Sequence, residues 1–156
     1  MEALVLMLLM WINEKTQYDT SQMPIPAVVE LTAEEITKEA YKEVPDLIPA
    51  SGVDSRVFAL YTWDPPETGT IFILNASETE GLQAGEHPLE NPVFQERLLH
   101  ELIHHAQYHS KSYEKFPCKN FGELEAYVQG GRYLKERYVT DPLPNRHVLA
   151  HMYSRC

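Results

Sequence analysis

The chain has 156 residues, 44% of them hydrophobic, which suits one domain built around one core. A formal net charge of −10 argues against nucleic acid or an anionic membrane as the main partner, because binding either requires basic surface that releases counterions. Two cysteines, Cys118 and Cys156, make no disulfide framework in a domain of this size, so free thiols in a reducing compartment are expected, with a Cys118 thiolate beside a metal as the alternative.

Residues 3–12 form an apolar run that is too short to span a bilayer. Glu2 precedes the run, no Lys or Arg does, and no small-residue cleavage site follows. It therefore reads as a buried first helix to about Glu14 rather than a targeting segment, with cytoplasmic residence expected. Residues 27–31 are extended at first, and Thr32-Ala33-Glu34-Glu35 has the form of a capping box that opens a helix to about Glu43. Residues 56–63 and 70–74 are rich in β-branched and aromatic side chains and flank a turn at residues 64–69, which predicts a β-hairpin. Asn91-Pro92 supplies a cap and a first-turn proline for a helix ending near His109. The loop that follows carries Lys111, Lys115 and Lys119, a solvated charge run. Asn120 then opens a long helix to about Tyr138, Pro142 and Pro144 break it, and Asn145 can cap a last short helix. No repeat or linker divides the chain, so residues 1–156 are expected to form one α+β domain.

The chemistry sits in His100-Glu101-Leu102-Ile103-His104. At about 100° per residue Leu99, Leu102, Ile103 and Ala106 make one apolar stripe, and His100, His104 and Gln107 make the adjacent strip. Two imidazoles at i and i+4 can both reach one zinc ion, and the glutamate between them lies where it can accept a proton from water. His105 and His109 fall on the opposite flank. A catalytic zinc site needs a third protein ligand. The helix from Asn120 offers Glu123 and Glu125. The same angular count puts Leu124, Tyr127, Val128, Gly131, Leu134 and Tyr138 on the buried face, with Glu123 at its edge and Glu125 facing solvent. Glu123 is the expected ligand. Its alternative is a first-turn acidic residue behind an Asn120 cap, and Glu125 and Cys118 are next in line. Gly130-Gly131, costly inside a helix, predicts the close passage of another backbone, with the motif helix the natural neighbour.

His-Glu-x-x-His followed by a helix bearing Glu-x-x-Ala-Tyr resembles the gluzincin clan of zinc metallopeptidases. The aromatic hairpin, the His-Glu-Leu-Ile-His-His-x-Gln form and Glu-x-Glu-Ala-Tyr together also resemble a family of small uncharacterised bacterial proteins grouped as a domain of unknown function (DUF6647-like). The resemblance implies a small zincin-like domain with one Zn2+ per chain held by His100, His104 and Glu123. It implies Glu101 as general base in attack of zinc-bound water on a peptide or protein substrate. In familiar clan members an Asp four residues after the ligand Glu orients a ligand His; here that position is Tyr127, so the orienting group is not identified. A metzincin pattern fails at Gln107 and Ser110. Tyr127, Tyr108, His147 and His151 are candidates for a transition-state or orienting role. By resemblance residues 70–74 would hold an extended substrate as an edge strand, or be a plain core strand. The alternatives to a peptidase are a non-peptidase zinc hydrolase and a non-catalytic protein whose metal site is structural.

Overall fold

Four apolar residues at i, i+3, i+4 and i+7 start the fold. Val5, Leu8, Leu9 and Ile12 are buried along one side of α1 (Glu2–Lys15), although the helix is apolar nearly all round and leaves Leu6, Met7 and Met10 in solvent. The structure is a computed structural model that describes residues 1–63 and 68–156; the turn expected at 64–69 falls largely outside the described residues. Strand β1 (Ala27–Leu31) follows, then α2 (Ala33–Ala40), β2 (Ala59–Thr62) and β3 (Thr70–Leu74). The capping box forms at the start of α2, where Glu35 Oε2 accepts from the Thr32 amide at 2.9 Å. The helix ends earlier than expected.

The sheet order is β1-β3-β2, with β1 parallel and β2 antiparallel to β3. Of the two expectations for residues 70–74 the plain core strand holds: β3 is central, its ladder occupied on both sides, and cannot receive a substrate strand. β2 is the edge. Leu74 N donates to Phe58 O at 2.8 Å, so Phe58, Leu60 and Thr62 turn their backbone groups toward β3. The alternation of an antiparallel pair then leaves the amide and carbonyl of Ala59 and Tyr61 on the free side.

Ile71 and Ile73 of β3 pack with α1 and with α3 (Pro92–His109). Asn91 Oδ1 caps α3 by accepting from Val93 N at 3.0 Å, Pro92 stands in its first turn, and Leu98, Leu99, Leu102, Ile103 and Ala106 are wholly buried. The segment after α3 tightens into a 3-10 turn over Lys119–Phe121 before α4 (Gly122–Glu136) begins. Asn120 is not the cap of α4; its side-chain amide donates to Arg155 O instead. The buried stripe of α4 is Gly122, Ala126, Gly130, Tyr133 and Leu134, about a residue away from the expected one, and Val128 and Tyr138 are exposed. The reason is α5 (Arg146–Tyr153), which packs beside α4 and covers the glycine side. A Cβ at Gly130 would lie 2.1 Å from Glu96 Oε1, and one at Gly131 would lie 2.8 Å from Arg146 Cδ. The two glycines therefore make room for a side-chain pair, Glu96 with Arg146, and not for a passing backbone.

Cys118 and Cys156 form a disulfide, which corrects the expectation of free thiols and removes Cys118 as a metal ligand. No spacing rule exposes this pair, because the turn of α5 is what returns Cys156 to the loop ahead of α4. Among the described residues no helix is long and apolar enough to cross a membrane.

Candidate metal centre

Helices α3 and α4 lie side by side, and between them His100, His104 and Glu123 turn their polar atoms toward one point. The two Nε2 atoms are 3.3 Å apart; Glu123 Oε2 is 3.1 Å from that of His100 and Oε1 is 3.3 Å from that of His104. Ligands held at 2.0–2.1 Å around a tetrahedral zinc ion stand about 3.3 Å from each other. The donor set and its spacing therefore fit zinc. Among the described residues the group has three members, and it opens on a cleft of about 580 Å³ that both histidines, Glu101 and Glu123 line.

The electrostatics follow from the crowding of these groups. Burial pushes the Glu101 carboxyl above the ordinary carboxylate range, and the His100 and His104 rings pull against that rise. Burial alone would lower His104, but the Glu123 hydrogen bond and the charges of Glu101 and Glu123 outweigh it and raise the ring to about 9. Glu123 is pushed up by burial, yet the hydrogen bonds from both rings hold it well below the usual range. A carboxylate that stays ionised is what a metal ligand requires.

The flanking groups divide sharply. Tyr127 lines the cleft, meets His100 edge-on with ring centres 4.8 Å apart, and stacks on Tyr153. Tyr108 also lines it, in contact with Tyr61, Trp63 and Tyr113. His147 and His151 do not. They lie on the exposed side of α5, whose inward positions are Arg146 and Ala150. His105, on the opposite flank of α3, is wholly buried. Its Nε2–H donates to Pro24 O at 2.8 Å, so Nδ1 accepts from the Tyr61 hydroxyl at 3.1 Å, and burial lowers the ring to about 4.

Glu125 does not face solvent. It accepts from the Tyr18 hydroxyl and from Gln107 Nε2, the latter at 3.2 Å. The angular count failed here because it assumed water beyond α4, where the segment following α1 in fact brings Tyr18. Gln107, Tyr61 and Tyr153 went unassigned in the sequence. Gln107 alone carried a signal, being three residues beyond His104 on the ligand strip; the other two reach the cleft through β2 and α5. No family model matches the chain, and neither the curated proteins nor the solved structures contain a significant match to it.

Proposed function

We propose that this chain is a zinc-dependent hydrolase of the zincin type that cleaves peptide bonds. The observation that carries the reading is the convergence of two imidazoles and one carboxylate on an open cleft, with the buried carboxyl of Glu101 lining the same cleft. Structural zinc sites close with four protein ligands, whereas three leave a position for reacting groups. Zinc held by His100, His104 and Glu123 supplies a lowered water pKa and a polarised carbonyl. The chain supplies the rest. Glu101, its affinity for a proton raised by burial, accepts a proton from the attacking water at a carboxylate oxygen and returns it to the leaving amine nitrogen. Residues 56–61, the segment entering β2 and the first part of the strand, line the cleft, and the free side of β2 offers the backbone groups of Ala59 and Tyr61 to an extended peptide. The apolar and aromatic walls, Phe58, Tyr61, Tyr108 and Tyr127 among them, suit side chains of that peptide.

Elemental analysis is the first test. About one zinc per chain is expected at neutral pH, lost in His104→Ala and Glu123→Ala while both stay folded. Glu101→Gln is then expected to keep zinc and fold and to lower kcat by at least ~10²-fold on a peptide library. A wild type that takes up no zinc ends the reading, and a fully active Glu101→Gln ends the peptidase mechanism.

A further inference from the structure

We propose that Gln107 is a positioning residue that selects which ring nitrogen of His104 faces the metal. The proposal rests on the zinc reading above. The resemblance offers no orienting acid, since Tyr127 stands where one would be sought, and the geometry supplies a replacement from α3 itself.

Gln107 Nε2 lies 3.0 Å from Gly122 O and 3.2 Å from Glu125 Oε2. A backbone carbonyl oxygen can only accept, so the amide NH₂ must point toward Gly122 O. The amide oxygen is thereby turned the other way, to within 2.9 Å of His104 Nδ1. That oxygen can also only accept, so Nδ1 carries the hydrogen. In the neutral ring Nε2 is left with its lone pair, and Nε2 is the atom that faces His100 Nε2 and Glu123. Each link is itself held. Gln107 is 2% exposed, and the buried Tyr18 hydroxyl donates to the same Glu125 oxygen. Gly122 is part of the device. A Cβ there would stand 2.4 Å from Gln107 Oε1, so only glycine lets the amide reach across to α4.

The test compares zinc affinity, by competition with a chromophoric chelator, with the ring-nitrogen NMR signals of ¹⁵N-histidine-labelled, zinc-loaded protein. Gln107→Leu removes the acceptor. For the leucine variant a ~10–100-fold rise in the zinc Kd is expected at unchanged stoichiometry. The wild-type spectrum should show His104 protonated at Nδ1 and bound through Nε2, and the leucine variant should lose that single state. If Gln107→Leu does not fold, Gly122→Ala, which presses a methyl group on the amide oxygen, takes its place with the same expectation. A folded leucine or alanine variant with wild-type affinity and spectrum overturns the role of Gln107 and leaves the zinc site standing. No zinc uptake by wild type overturns both.

Discussion

Arg146 is 4% exposed and is held between two carboxylates, Glu96 of α3 at 2.7 Å and Asp141 in the loop before α5. A guanidinium buried this far must be paired, because its desolvation is offset only by close, well-directed partners. Burial pushes the Asp141 carboxyl up, but the Arg146 hydrogen bonds outweigh that and hold it below its ordinary range. A carboxylate with a depressed folded pKa binds fewer protons in the native state than in the unfolded one. Its contribution is therefore present above about pH 4, the unfolded value, and is lost as pH falls through the folded value. Asp141→Asn should cost roughly 2 kcal/mol at pH 7. It should also flatten the fall in urea-derived stability between about pH 5 and pH 2. A variant that loses stability on acidification as steeply as wild type would show that this pair contributes nothing to the pH dependence.

Gly130 shows how α4 is fitted to its neighbours. Alanine in place of glycine inside a helix ordinarily gains about 1 kcal/mol. Here the added Cβ would sit 2.1 Å from Glu96 Oε1 and 3.0 Å from Arg146 Nη1, and Glu96 can retreat only by giving up its ion partner. Overpacking of a filled site costs about 1–3 kcal/mol, so the clash should win. Gly130→Ala is expected to be less stable than wild type in thermal or urea unfolding; a more stable variant would mean that the Glu96–Arg146 pair is loose. The edge of β2 makes a different prediction for the substrate. Methylating a peptide nitrogen that pairs with Ala59 or Tyr61 removes one hydrogen bond, worth about 1 kcal/mol, and should lower kcat/KM by roughly fivefold. If a methyl scan along a good substrate moves nothing, the peptide does not bind along this edge.

At the scale of the whole molecule, the disulfide binds the C-terminal segment to the ligand-bearing helix. Cys118 precedes Glu123 by one turn of chain, Cys156 follows Tyr153, and Lys119, Asn120 and Tyr153 between them form one wall of the cleft. The bond closes a loop of 38 residues in the unfolded chain. Chain entropy assigns such a loop about 4 kcal/mol of stabilisation as an upper figure. Reduction by a dithiol should therefore lower the Tm of wild type by many degrees and leave that of the Cys118→Ser, Cys156→Ser double variant unmoved. Equal Tm values with and without the dithiol would mean that the bond does not form in solution.

Much of this protein was legible as local pattern. The 3.6-residue spacing of Leu99, Leu102, Ile103 and Ala106 and the Asn91-Pro92 cap fixed α3 to its ends, and with it the pairing of His100 and His104 on one strip. Glu123 could be singled out as a candidate, but which face of α4 is buried depended on its neighbours. What remained depended on which elements meet, and no residue carries that information by itself. β3 became central because β1 returns parallel to it; Glu125 became an internal acceptor because Tyr18 arrives from another segment. Cys118 found Cys156 because α5 folds back over α4. Local spacing decides what one helix or strand presents, whereas contacts between segments distant in sequence are decided by packing and by the need of every buried polar group for a partner.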